Sequence, residues 1–96
     1  MKVSYTPRAR TDLARIHDWL SERSIQAAPA VIAAIRDTAR LIGDYPGIGR
    51  PTDIEGVKLL PVVRYPYLVY YMTEPDEVVI VHLRHGSRLG PERDEF

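Results

Sequence analysis

The sequence predicts an α+β domain: an N-terminal strand, an antiparallel two-helix hairpin, then a three-stranded antiparallel meander. Three observations carry this reading. Apolar residues recur at helical spacing through two stretches between residues 7 and 42. Short runs rich in Val, Ile, Leu and Tyr then fill residues 57–84. Between the two regimes lies residues 43–56, a segment with four Gly and two Pro that reads as a loop.

Each element follows from local chemistry. Lys2-Val3-Ser4-Tyr5 alternates, with Val3 and Tyr5 on one face of a short strand. Thr6-Pro7 starts the first helix, because a threonine oxygen caps free amides and proline suits the first helical position. Ala9, Leu13, Ile16 and Leu20 then form one stripe, placing this helix at about 7–22. Asp12 falls mostly outside the stripe and can pair with Arg8 or Arg15, while Asp18 and Glu22 repel weakly one turn apart. Trp19 edges the stripe, and His17 beside it reads as a half-buried polar residue.

Ser24 marks the approach to the second helix, whose stripe is Ala28, Ile32, Ile35, Ala39 and Ile42. Pro29 is tolerated only in a first turn, so the helix begins close to Ala27 or Ala28. Gly43 and Pro46 mark its end. The strands are expected at Val57–Val63, Tyr67–Thr73 and Val78–Arg84, with Pro61 suggesting an edge or a bulge and Glu74-Pro75-Asp76-Glu77 a turn. In the last strand Val79, Val81 and Leu83 share one uniformly apolar face, expected to meet the helices. The predicted core is Leu13, Ile16, Leu20, Ile32, Ile35, Val79, Val81 and Leu83. Val78, Ile80, His82 and Arg84 form the other face, expected to be partly open to solvent or a partner.

Composition bounds the function. The chain has 96 residues, enough for one domain (1–96), with 45% hydrophobic and 27% charged residues, ordinary globular values. It has no cysteine, which excludes a disulfide scaffold, a thiolate metal site and a cysteine nucleophile. No apolar run is long enough to span a bilayer and no signal-peptide pattern opens the chain, so a cytoplasmic protein without membrane contact is expected. Residues 1–88 carry 12 Lys and Arg against 10 Asp and Glu; the tail from residue 89, expected to be loosely ordered, reverses this with Arg93 against Glu92, Asp94 and Glu95. The neutral total argues against broad nucleic-acid binding. Eleven of the 13 basic residues are arginines, suited to bidentate contact with carboxylates and phosphates, although a GC-rich genome gives the same bias.

Arg84-His85-Gly86-Ser87-Arg88 is the densest polar cluster, placed at a strand end where a scaffold can hold it rigidly. Arginine with histidine can hold a phosphate and move a proton; equally, both can pair with acidic neighbours. Arg50, in Gly49-Arg50-Pro51, reads either as a further anion contact or as a loop arginine paired with Asp44, Asp53 or Glu55. Tyr65, Tyr67, Tyr70 and Tyr71, beside Arg64, suit base stacking or, more simply, core packing. His17, His82 and His85 form no recognised metal-ligand set, and no phosphate-loop motif is present, so neither metal nor cofactor is expected.

The order and spacing of Val3-Ser4-Tyr5-Thr6 with Ala9, Asp12-Leu13-Ala14-Arg15-Ile16, Tyr45-Pro46, Gly47-Ile48-Gly49-Arg50-Pro51, Val57-Lys58-Leu59-Leu60-Pro61, Tyr65-Pro66-Tyr67-Leu68-Val69-Tyr70-Tyr71 and His85-Gly86-Ser87-Arg88 resemble the ParE/RelE superfamily of bacterial type II toxins. The resemblance spans nearly the whole chain. It implies a plasmid-stabilisation or toxin–antitoxin module whose toxin is silenced by a cognate antitoxin, the antitoxin's C-terminal segment wrapping the toxin. The antitoxin's C-terminal segment is expected to be acidic and amphipathic and to cover either the Val78, Ile80 and His82 face of the sheet or the groove beside the helix hairpin. The ParE-like branch poisons DNA gyrase; the RelE-like branch cleaves mRNA in the ribosomal A site. The His-Gly-Ser-Arg string and the Gly-Arg-Pro loop resemble the ParE-like branch, and no tyrosine follows Tyr71 to match the C-terminal aromatic of RelE-like enzymes. This favours gyrase inhibition, with Arg50, Arg84, His85 and Arg88 contacting the target. Under the alternative, RNA cleavage, the candidate catalytic residues are His85, Arg84, Arg88 and Arg64. A third possibility is a relic that only binds its antitoxin.

Overall fold

Thr6 sets the start of the first helix as its chemistry dictates. Its backbone is extended, its hydroxyl accepts the Ala9 amide at 3.1 Å, and Pro7 is the first helical residue. The computed structural model describes residues 1–86. Strand β1 (Lys2–Tyr5) leads into helix α1 (Pro7–Arg23), then helix α2 (Ala27–Asp44). Strands β2 (Arg50–Pro51), β3 (Lys58–Pro61), β4 (Tyr67–Thr73) and β5 (Glu77–His85) follow. Among these residues no helix is long and apolar enough to cross a membrane. Arg88 and the tail from residue 89 lie outside the described residues.

The strands form one mixed sheet in the order β1-β5-β4-β3-β2. The antiparallel meander β3-β4-β5 is as expected, but it gains a strand on each side. β1 pairs parallel with β5, and the two-residue β2 pairs antiparallel with β3 from within the segment expected to be loop. The β3 strand is shorter than expected, stopping at Pro61, which has no amide to continue the ladder.

Helix α2 begins at Ala27, so Pro29 falls in the first turn. It does not stop at Gly43 but runs to Asp44. Gly43 is there for closeness: a Cβ at this position would lie 2.7 Å from Val3 Cγ2 and 3.1 Å from the Met1 carbonyl. The Met1 ammonium donates to the Gly43 carbonyl at 3.0 Å, fastening β1 to the helix end.

The faces of β5 differ from the expectation. Tyr70 pairs with His82 but Tyr71 pairs with Ile80, which leaves Val81 as an extra residue. Such a bulge resets the alternation of side chains along the strand. Val78, Ile80 and, beyond the bulge, Leu83 join Val31, Ile35, Ala39 and Ile42 of α2 in the main core. Val79 and Val81 lie instead in a second cluster with Val57, Leu59 and Tyr70. The predicted helix-facing set was therefore right for Leu83 and reversed for Val79 and Val81. Val78 and Ile80, expected to meet an antitoxin, are fully covered by the chain's own core. Leu13, Ile16, Leu20 and Ile32 pack on the margin of that core rather than inside it.

Candidate functional site

A cleft of about 320 Å³ opens between α1 and the end of β5. Helix α1 lines it with Arg8, Asp12, Arg15, Ile16 and Trp19. Tyr67 of β4 and His82, Leu83, Arg84 and His85 of β5 form the opposite wall. The helix residues Arg8, Asp12, Arg15 and Trp19 are spaced 4, 3 and 4, a second stripe beside the apolar one. That spacing is the sequence signal for this half of the site, and helical periodicity of apolar residues does not expose it because three of its four members are charged.

Asp12 ties the two walls together. Its Oδ2 accepts the Leu83 amide at 3.1 Å and meets His82 Nδ1 at 2.7 Å. Its Oδ1 accepts Arg8 Nε at 3.1 Å. Asp12 and His82 are both buried, with 7% and 4% of their surface exposed. Burial alone would push the Asp12 carboxyl upward. The bonds from His82, the Leu83 amide and Arg8 together outweigh burial and hold it below its ordinary value. An ionised carboxylate only accepts, so His82 Nδ1 carries a proton and donates it to Asp12.

Arg84 is also held in place. Its Nε donates to the Tyr70 hydroxyl at 2.9 Å and one Nη to the His85 carbonyl at 3.1 Å. The His85 ring stands edge-on to Tyr67, with centroids 5.2 Å apart. Trp19 is half-exposed beneath the Arg23 guanidinium, 3.8 Å from the ring centroid. Arg15 is exposed and makes no ion pair among the described residues. Among the described residues the cleft lining thus combines three arginines and two histidines with one carboxylate, Asp12, which joins the two walls.

The structure sorts the remaining candidates. It brings Arg84 and His85 together with Arg8 and Arg15, which the sequence reading did not include. Arg50 lies on β2, across β4 and β3 from β5 and so roughly 14 Å away at ordinary strand spacing. It is exposed and joins no ion pair with Asp44, Asp53 or Glu55. Arg64 is exposed in the turn between β3 and β4, with the left-handed φ of 77° that is unusual outside glycine. Neither Arg50 nor Arg64 lines the cleft. His17 is exposed beside Asp18 rather than half-buried. Tyr67, Tyr70 and Tyr71 are buried, so the tyrosine group is mainly packing. Tyr71 also ties the loop before β2 to the sheet: its hydroxyl donates to the Pro46 carbonyl at 2.8 Å and accepts the Gly49 amide at 2.9 Å. Among the described residues no group of three or more acidic or histidine side chains is placed to hold a metal ion.

A family model described as the ParE toxin of type II toxin–antitoxin systems, parDE, matches residues 3–90. The chain belongs to the ParE toxin family. It is thus a type II toxin of the ParE/RelE superfamily. Among similar proteins, Toxin RelE3 of Caulobacter vibrioides is 33% identical over 86 residues, which covers 88% of this chain and 92% of that toxin. Putative toxin Y4kP of Sinorhizobium fredii is 28% identical over 91 residues, covering 95% and 94%. The ParE-family fold is shared with a chain of the chromosomal ParDE system of P. aeruginosa, at a TM-score of 0.79 and 23% identity over 88% of this chain and 95% of that one. A chain of the RelBE2 toxin–antitoxin complex of Mycobacterium tuberculosis superposes with a TM-score of 0.60 at 25% identity, covering 88% of each.

Proposed function

We propose that this ParE-family toxin is neutralised by a cognate antitoxin polypeptide and acts by inhibiting DNA gyrase. The antitoxin is supported by the solved relatives, which come from ParDE and RelBE2 toxin–antitoxin systems. Gyrase inhibition is supported first by the ParE family match. The observation that carries it over RNA cleavage is the state of the cleft. Arg8 and Arg84 are fixed by side-chain hydrogen bonds, and with His82 buried against Asp12 only the half-buried His85 is left among the cleft histidines to move a proton. A general acid or base must reach the proton it transfers. A surface that grips an acidic or phosphate-bearing partner needs only charge in the right place. Arg84 and His85 are the contact residues, with Arg8 and Arg15 beside them; Arg50 and Arg88 remain candidates outside the cleft's described lining.

One observation favours RNA cleavage as a second reading. Arg84 and His85 are neighbours in a cleft with two further arginines, and two relatives at 33% identity bear the name RelE. His85 would then transfer the proton and the arginines would hold the transition-state phosphate.

Two assays separate the readings. The purified chain is added to a gyrase supercoiling reaction and, separately, to ribosomes programmed with a defined message. Loss of supercoiling with an intact message is expected. A message cut at the A-site codon with gyrase unaffected overturns the proposal. His85→Ala should weaken gyrase inhibition only partly, whereas it should abolish RNA cleavage if His85 is catalytic.

A further inference from the structure

We propose that the loop between α2 and β2 carries a self-complementary contact surface, and that two copies of this chain associate through it about a two-fold axis. The surface shares no residue with the lining of the cleft, and the proposal does not depend on which target the toxin attacks.

The loop is rigid. Tyr71, fully buried on β4, donates its hydroxyl to the Pro46 carbonyl at 2.8 Å and accepts the Gly49 amide at 2.9 Å, so one side chain of the sheet gathers both ends of residues 46–49. The Ile48 amide closes a turn on the Tyr45 carbonyl at 3.0 Å, and the Tyr45 amide closes α2 on the Leu41 carbonyl at 2.9 Å. On this fixed backbone three large apolar side chains stand in solvent: Tyr45 is 63% exposed, Ile48 43% and Leu41 39%. A preorganised apolar surface loses little freedom on association and gains by leaving water.

Charge selects the occupant. Asp44 and Arg50 flank the loop, one at each stem, and Arg50 is held by the pairing of β2 with Leu59 of β3. Both side chains are exposed, and neither joins an ion pair among the described residues. Asp44 ends α2, where the helix dipole disfavours an acid, and the last turn holds no basic residue to offset it. A surface with an acid on one side, a base on the other and apolar groups between them fits its own copy. A two-fold axis through the apolar centre sets Asp44 of each copy against Arg50 of the other. A guanidinium meets a carboxylate in bidentate fashion. The contact is small beside a permanent interface, so the association is weak and concentration-dependent.

Sedimentation velocity of the purified chain at rising concentration tests this. The coefficient should climb from monomer toward dimer, and added salt should oppose the climb. Tyr45→Ala should raise the dimer Kd about tenfold. Arg50→Asp and Asp44→Arg should each raise it further, because the symmetric contact then holds like charges twice. The double variant Asp44→Arg/Arg50→Asp exchanges the two partners and should bring association back near that of the wild type. Thermal unfolding checks that each variant folds; should a charge variant melt early, Tyr45→Ala and Ile48→Asn decide in its place. A monomer at every concentration overturns the proposal. So does association that the single variants leave unaltered, or that a well-folded double variant fails to recover. The gyrase supercoiling assay is run on the same samples. A monomeric wild type whose inhibition is lost in Tyr45→Ala overturns the dimer and assigns the loop to the target. A wild type that dimerises as described but leaves gyrase active supports this proposal and sinks the gyrase reading alone.

Discussion

Asp12 is tolerated in a packed helix because three donors surround it. Removing the carboxylate strands those donors, and a buried polar group without a partner is costly. Asp12→Ala should therefore destabilise the fold by about 3 kcal/mol, and the near-isosteric Asp12→Asn by less. Chemical denaturation of both variants measures this. The pH dependence has a definite sign. The carboxyl's value is lower in the folded chain than in the unfolded one, so its contribution is complete above about pH 4 and fades as pH falls through the folded value. The gap in stability between the wild type and Asp12→Asn should thus narrow below about pH 4; a gap that stays constant into strong acid contradicts the role given to this carboxylate. A second residue-scale test concerns the Tyr71 hydroxyl. Tyr71→Phe should cost about 1–2 kcal/mol by losing the bonds to Pro46 and Gly49. Gly49→Ala should cost as much or more, since its Cβ would lie 2.6 Å from that hydroxyl and 2.9 Å from the Leu59 carbonyl. At this scale the sequence was hard to read. Asp12 and His82 are 70 positions apart, and no local pattern announces such a pair.

At the scale of elements the sequence was far more legible. The Thr6-Pro7 start and the tolerance of Pro29 in a first turn are local rules, and both helices lie where those rules put them. β4 occupies Tyr67–Thr73, the run with the strongest strand formers. What failed was the sidedness of β5. Alternation predicts faces only in an unbroken ladder, and the extra residue at Val81 breaks it. The short β2 was hidden because two residues inside a Gly- and Pro-rich segment carry no periodicity. Gly43 gives a prediction against ordinary propensity. Alanine inside a helix is normally favoured over glycine by up to about 1 kcal/mol. Here Gly43→Ala should instead destabilise, because its methyl would meet Val3 and the Met1 carbonyl. A raised melting temperature for this variant would contradict the close packing of β1 on α2.

On the scale of the whole molecule, a neutral total charge conceals a concentrated site. The stripe of Arg8, Asp12, Arg15 and Trp19 becomes a site only when α1 is laid across β5, so half the cleft was legible as a cluster at the strand end and half was not. The same juxtaposition governs how the protein comes into being. β1 pairs with residues 77–80, and Asp12 binds at residues 82 and 83. Contacts between such distant positions form late, after the entropy of closing the intervening chain has been overcome. During synthesis α1 and its arginines emerge early, but β1 has no neighbour and the cleft no second wall until β5 is made. A product terminated before Glu77 lacks both. The polypeptide therefore cannot carry this site until β5 has been made and is free to pair, and a cell translating it meets the finished surface only after His85 has left the ribosome.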